Sequence, residues 1–248
     1  MPGTLLAAWS FDETSGDVID HSGGGRHFAL TGSTIRTADG GGAHGRGLTQ
    51  SGGEVFTALP SLAGLQPIQR TWMVNFKTTT AFIGWLVEFF RASSADTGVF
   101  GLLYLSGQLR FRAKDTSNTP FEINISASSS FRNGTATYDG TTLRFYLDGV
   151  LAGSAAMGSI WAGDSLRMLD GSGANAVIDD VRLFDGALTP EEIDAWRVLP
   201  ADQMPAAGGR LKYESAPGVW TPVPVKTETG ELLVVKSETS PGTWEALP

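Results

Sequence analysis

YDGTTLRFYLDG, residues 138–149, alternates without a break between two turns. Leu143, Phe145 and Leu147 fall on one face, with Arg144 and Tyr146 on the other. That is the period-2 signature of a strand with one buried side. Asp-Gly pairs at 139–140 and 148–149 fence it and supply the positive φ that tight hairpins need. A strand closed at both ends by such turns pairs antiparallel with its chain neighbours, so the chain reads as antiparallel β.

The pattern recurs outward from there. In TWMVNFKT (71–78), Trp72, Val74 and Phe76 alternate with Met73, Asn75 and Lys77. QLRFRAKD (108–115) places Leu109, Phe111 and Ala113 inward and Arg110 and Arg112 outward. Turn signals at 106–108 and 170–173 separate these runs. One segment differs: LTPEEIDAWR (188–197) has Thr189 as an N-cap, Pro190 at the first helical position and two glutamates in the first turn, which predicts a short helix. Many antiparallel strands and one late helix predict an all-β, two-sheet sandwich.

Composition agrees. The chain has 248 residues, of which 32 are glycine and 12 proline, which favours short strands and tight turns. A net charge of −8 argues against sequence-independent nucleic-acid binding. Without cysteine there are neither disulfides nor thiolate metal sites. No apolar run approaches the ~18–20 residues of a membrane span, and the first residues lack the basic and apolar regions of a secretory signal. The expectation is a protein that stays where it is made or leaves by a route needing no signal peptide.

After Pro200 the composition shifts. ADQMPAAGG (201–209) reads as a linker, and three of the five lysines follow it. KYESAPGVWTPVP (212–224) and KSETSPGTWEALP (236–248) then align without a gap, pairing Lys212 with Lys236 and Trp220 with Trp244. A partial third copy, VKTETG (225–230), lies between them. The expected organisation is a sandwich over 1–200, a linker over 201–209 and a small β-repeat tail over 210–248. Each copy holds too little apolar surface to fold alone, so Trp220 and Trp244 are candidate partner-binding residues.

Four stretches in order resemble the laminin-G-like (concanavalin A-like) jelly rolls: 9–32, 100–112, 138–149 and IDDVRLFDGALTPEEI at 178–193. The resemblance implies two curved antiparallel sheets with the first and last strands adjacent. Ile178 and Val181 are expected to anchor the penultimate strand, and the helix after it to cap one end of the sandwich. It departs at FRNGTATYDG (131–140), where a Trp-His pair often stands in the family. One structural calcium ion is also implied, at Asp20 in the N-terminal loop and Asp179 or Asp180 on the last strand. Asp180 is the candidate of the two, because alternation places Asp179 with Val177 and Val181. Two carboxylates plus loop carbonyls meet calcium's need for hard oxygen ligands. The commonest activity the resemblance implies is sugar recognition through aromatic platforms and planar polar groups. Trp85, Tyr104, Arg110, Arg112 and Trp161 are the candidates for that.

Catalysis finds no constellation. Glycoside hydrolysis needs paired carboxylates, and neither Glu88 nor Glu122 has a second carboxylate on the same face of its strand. Glu191 and Glu192 suit the helix N-terminus. H-E-x-x-H and G-x-S-x-G are both missing, and HSGGGRH and DGGGAHGRG read as turns. The chain is therefore expected to be non-enzymatic. Its repeats of lysine, turn and tryptophan resemble the ends of minor tail proteins of phages infecting actinobacteria. That resemblance implies a virion protein of the phage tail, whose partners are other virion proteins or cell-surface polysaccharide. The alternatives are a free carbohydrate-binding module of a bacterial surface or secreted protein, and a glycoside hydrolase of the same fold. Neither nucleic acid nor membrane is an expected partner; exposed sheet edges are compatible with a homo-oligomer.

Overall fold

The computed structural model describes residues 3–30, 34–50, 68–78, 83–90, 100–105, 108–160, 165–172, 176–203, 211–216, 219–222, 235–240 and 243–246. In chain order the strands are β1 (Thr4–Trp9), β2 (Thr34–Arg36), β3 (Leu48–Gln50), β4 (Arg70–Thr78), β5 (Ile83–Phe90) and β6 (Phe100–Leu105). There follow β7 (Gln108–Lys114), β8 (Pro120–Ile125), β9 (Ser128–Tyr138), β10 (Thr142–Leu147), β11 (Val150–Ala156), β12 (Ser165–Ser172) and β13 (Ala176–Asp185). Helix α1 (Pro190–Trp196) and a 3-10 turn at Ala201–Gln203 precede β14 (Leu211–Ala216), β15 (Val219–Pro222), β16 (Val235–Ser240) and β17 (Thr243–Ala246).

Two antiparallel sheets make a jelly-roll sandwich. The larger runs β11-β10-β9-β4-β13-β3-β2, with β1 also paired to β13; the smaller runs β12-β5-β6-β7-β8. First and last strands are adjacent, with Trp9 opposite Val181. The Asp-Gly turn behaves as expected: Asp148 and Gly149 take φ of 53° and 82° and close the β10–β11 hairpin. FRNGTATYDG contributes most of its length to the central strand β9, between β4 and β10.

Alternation delivers the core. Trp72, Val74, Phe76, Leu143 and Phe145 from the larger sheet meet Phe100, Leu102, Leu109 and Phe111 from the smaller, all buried. Phe111 stacks on Phe145 at 4.5 Å, and Trp72 meets Phe100 edge-on at 5.5 Å, so aromatic pairs tie the sheets together. Truncating Phe111 to alanine would cost about 3–5 kcal/mol through lost burial and a cavity.

A second cluster lies on the opposite side of the larger sheet. Leu5, Ala8, Met73, Tyr146 and Phe184 receive Ile193 and Trp196 of α1. The helix therefore covers a face of the larger sheet, where the residues alone suggested that it caps one end of the sandwich. Its start is as predicted: Thr189 accepts from the Glu192 amide, Glu192 reciprocates in a capping box, and Pro190 sits in the first turn. Ala201 is also buried in this cluster. Packing therefore continues past residue 200, where the composition shift suggested a boundary.

The tail forms a four-stranded sheet, β15-β14-β16-β17. Each repeat copy is one hairpin. Glu214 lies opposite Trp220 and Lys212 opposite Pro222, and Glu238 lies opposite Trp244 and Lys236 opposite Ala246. The hairpins join through β14 and β16, where Lys212 pairs with its own repeat equivalent, Lys236. A local twofold axis thus relates the two copies. VKTETG lies outside the described residues, as do the side chains of Trp220 and Trp244.

Candidate functional site

Register places a set of polar residues on the outer face of the smaller sheet. One row crosses all five strands: Arg167, Glu88, Gly101, Arg112 and Glu122 are successive cross-strand partners. The neighbouring row reads Asp170, Trp85, Leu103, Arg110 and Asn124. Three sequence candidates, Trp85, Arg110 and Arg112, therefore share one face. Tyr104 does not. It lies opposite Leu109, is 1 % exposed and belongs to the core, because its place in the β6 alternation is an inward one. Trp161 lies outside the described residues.

Gly101 shapes the middle of this face. A Cβ there would come within 2.9 Å of the Trp85 ring and 2.4 Å of the Val87 carbonyl oxygen. Because glycine has no side chain, the indole settles over the strand instead of being pushed off it. Arg110 donates to Glu122 at 3.2 Å and to Gln108 at 3.2 Å. Arg112 Nε lies 3.2 Å from the other Glu122 oxygen without a hydrogen bond's alignment.

Glu88 is the unusual member. It is fully buried, Arg167 Nε donates to its Oε2, and its Oε1 has no hydrogen-bond partner among the described residues. Arg167 also pairs with Asp170 at 2.7 Å and stacks over the Phe90 ring at 4.6 Å. Burial pushes the Glu88 carboxyl up to about 7; Arg167 pulls against that shift, Asp170 adds to it, and Arg112 opposes it. A second carboxylate therefore does share the Glu88 face. It is Asp170 of β12, the strand beside β5, and no reading along β5 alone could supply it. One guanidinium neutralises both acids.

A second polar group lies where β13 changes neighbours. Between Asp179 opposite Asn75 and Arg182 opposite Met73, β13 advances three residues while β4 advances two. That bulge puts Asp180 at φ 50°, which an aspartate tolerates better than most residues. Alternation would send Asp179 and Asp180 to opposite faces. The bulge cancels it, and one ligand atom from each of His44, Asp179 and Asp180 lies within 4.8 Å of the others. Such a group could hold a metal ion.

Its hydrogen bonding is already dense. Asp180 accepts from Asn75 at 3.0 Å and from the Ala201 amide at 2.6 Å, and lies 2.5 Å from His44 Nδ1 and 3.4 Å from Arg182. Asp179 accepts from the Ala43 and His44 amides at 2.8 and 2.9 Å. Burial, then the Asp180 charge, push Asp179 up to about 9. The set of one imidazole and two amide-bonded carboxylates beside a guanidinium does not offer the six to eight oxygens calcium takes.

Asp20, the other calcium candidate, is organised separately. Its carboxylate accepts from the amides of Ala8, Ser22 and Arg26, which hold the N-terminal loop against β1. Burial opposes ionisation, but these hydrogen bonds outweigh it and lower its pKa. It is not part of the His44–Asp179–Asp180 group. His44, Arg167 and Asp170 carried no local sequence signal as site residues. The adjacent acids in IDDV, within an otherwise apolar strand, were the trace of the bulge.

The family profile of the concanavalin A-like lectin/glucanases superfamily matches residues 71–194, half of the chain. The chain belongs to that superfamily. Among curated protein sequences nothing matches. Its fold is similar to that of the receptor-binding domain of botulinum neurotoxin C/D mosaic serotype, with a TM-score of 0.62 and 12 % identity. That match covers 77 % of this chain and 50 % of the other, so the chain spans about half the length of the toxin domain. Domain 4 of AbnA, an extracellular GH43 arabinanase from Geobacillus stearothermophilus solved with arabinotriose, has a TM-score of 0.58 and 17 % identity, covering 79 % of this chain and 99 % of the domain. The binding domain of Paraclostridial Mosquitocidal Protein 1 has a TM-score of 0.58 and 12 % identity, covering 98 % of this chain and 72 % of that one. At these identities the likeness is one of fold.

Proposed function

We propose that the protein is a non-catalytic, lectin-like module that binds glycan on the outer face of its smaller sheet. The observation that carries this reading is the placement of the Trp85 indole over Gly101, between Arg110 and Arg112 on one side and the Glu88–Arg167–Asp170 cluster on the other. An aromatic platform ringed by planar polar groups is what sugar recognition uses: CH faces stack on the ring and hydroxyls find the polar groups. Superfamily membership supports it, as does the fold likeness to an arabinanase domain solved with arabinotriose and to toxin receptor-binding and binding domains. Hydrolysis is disfavoured because Arg167 neutralises both carboxylates and Glu88 is sealed from solvent. The test is a glycan array of wild type against Trp85→Ala. Wild type should bind at least one glycan class, with affinity reduced about tenfold or more in the variant. Equal binding by both would refute the assigned face, and appearance of new reducing ends in the bound glycan would refute non-catalysis.

The setting favoured by these likenesses is a carbohydrate-binding module. The virion reading rests on the tail repeats alone, and mass spectrometry of purified particles tests it: absence of the chain would end it. Calcium at the His44–Asp179–Asp180 group is tested by calorimetric titration. The donors already on Asp180 predict no heat of binding and no change in melting on adding chelator.

A further inference from the structure

This inference rests on the glycan-binding reading and concerns the kind of sugar bound. The outer face of the smaller sheet is polar along β12, β7 and β8, but one part of its middle is not. Trp85 pairs with Leu103 and Gly84 with Tyr104, so Ile83 stands beside Leu105 one position further on. Tyr104 points into the core, which sends Leu103 and Leu105 outward, and Trp85 and Ile83 share that face with them. Among the described residues these four belong to neither core cluster. Leu103 is buried and Trp85 half-buried, whereas Ile83 and Leu105 are 52 % and 41 % exposed. Two rows of two apolar side chains thus form one block, open to solvent at the Ile83–Leu105 end.

The surroundings decide what this block fits. Gln108 is the β7 partner of Leu105, Arg110 is that of Leu103, and Asp170 lies opposite Trp85 on β12. Arg110 donates to Gln108 at 3.2 Å, which fixes a polar edge along one side. The apolar strip is therefore two strands wide, about 5 Å from β5 to β6, and two rows long, about 7 Å along the strands. A stable protein partner needs about 800 Å² of matching surface, far more than the strip offers. A lipid surface would strip water from Asp170 and Arg110 along with it. A sugar does neither. Its ring covers one row by stacking on Trp85 while its hydroxyls meet the polar edge, and the exposed second row is left for an apolar group on the same sugar.

We propose that Ile83 and Leu105 form a subsite for a methyl-terminated substituent on the sugar stacked against Trp85, either the C6 methyl of a 6-deoxyhexose or the methyl of an N-acetyl group. A hydroxyl in the same place loses its water against two aliphatic side chains and gains no hydrogen bond from them. The subsite works by exclusion as well as by burial, and separates sugars that Trp85 alone would hold equally.

The experiment titrates the full chain with matched pairs. L-rhamnose against L-mannose, and L-fucose against L-galactose, each as the methyl glycoside, differ only at C6; chitotetraose and cellotetraose differ only at C2. In at least one pair the methyl-bearing member should bind about fivefold or more tightly, from one methyl taken out of water and one hydroxyl spared desolvation. Which pair responds identifies the source of the methyl. In the double variant Ile83→Ser, Leu105→Ser the ratio within that pair should fall to about one. Both side chains lie outside the cores, so an unchanged melting temperature verifies the fold. Equal or reversed affinities in every pair would overturn this inference and leave the glycan-binding reading standing. A preference that survives the double substitution would do the same, as would a glycan array whose bound members carry no methyl-bearing sugar. If no glycan binds at all, both fall.

Discussion

Asp180→Ala removes one carboxylate and four interactions. His44 Nδ1 at 2.5 Å, Asn75 at 3.0 Å, the Ala201 amide at 2.6 Å and Arg182 at 3.4 Å all lose their acceptor. Arg182 is the heaviest consequence. It is fully buried, and among the described residues its remaining hydrogen-bond acceptors would be the carbonyl oxygens of residue 180 and Leu199, with the Asp179 and Asp202 carboxyls nearby. Removing one partner of a buried ion pair costs about 3–5 kcal/mol, and each orphaned buried donor about 1–3 kcal/mol. Alanine at φ 50° adds about 1 kcal/mol of backbone strain. One response softens the loss: Asp179, held protonated partly by the Asp180 charge, can then ionise beside Arg182. The expected net loss is about 5 kcal/mol for Ala, about 4 for Gly, which relieves the strain, and about 2–3 for Asn, which keeps an acceptor and tolerates the backbone. For a domain of this size that is a drop of roughly 10–20 °C in melting temperature for alanine. Urea denaturation of the full chain measures the series, and amide exchange at Ala201 should quicken in step. An alanine variant within about 1 kcal/mol of wild type, or one no weaker than Asn, would show that Asp180 does not hold this junction together.

Glu88 and Asp179 have carboxyl pKa values of about 7 and about 9 when folded, above their unfolded values near 4. The folded chain thus holds more protons in that window, and stability present at pH 5 is lost as pH rises toward 8, by up to about 3 kcal/mol for Glu88. Melting should be higher at pH 5 than at pH 8, with a shallower slope in Glu88→Gln; a chain more stable at pH 8 would contradict this. The Tyr104 hydroxyl is buried without a partner among the described residues, so Tyr104→Phe should leave stability unchanged or raise it by up to about 1 kcal/mol in the same urea assay. Gly101→Ala forces a methyl against the Val87 carbonyl and the Trp85 ring, and should lower both stability and glycan affinity, the latter about tenfold by titration calorimetry.

The sandwich was legible because period 2 is a local property. Trp72, Phe111 and Phe145 declare their face within a few residues, and Thr189 and Pro190 announce the helix. Arg110 and Arg112 stand outward by the same alternation, whereas Trp85 shares parity with the inward Val87 and Phe89 and faces out only because β5 bulges between Trp85 and Val87. Tyr104 misled because aromatic character alone does not separate a platform from a core ring; its parity with Leu102 does, and that parity puts it inside. What the sequence hid was everything set by pairing between distant strands. Arg167 reaches Glu88 only because β12 lies beside β5. Asp179 and Asp180 converge only because β13 bulges where its neighbour changes from β3 to β1. Alternation fails at a bulge, and a single extra residue is enough to reverse a face assignment.

The twofold relation between the tail hairpins makes them, in effect, a dimer inside one chain. Each hairpin offers its first strand to the other, Lys212 against Lys236, and that contact is self-complementary. Such a contact closes after two members, so a third 24-residue copy could not join the sheet by repeating it. A chain shortened to end after β15 would keep one hairpin and leave the β14 edge without its mate. Two such chains should then pair with each other through that edge, and sedimentation of the shortened protein should find a species of twice its mass.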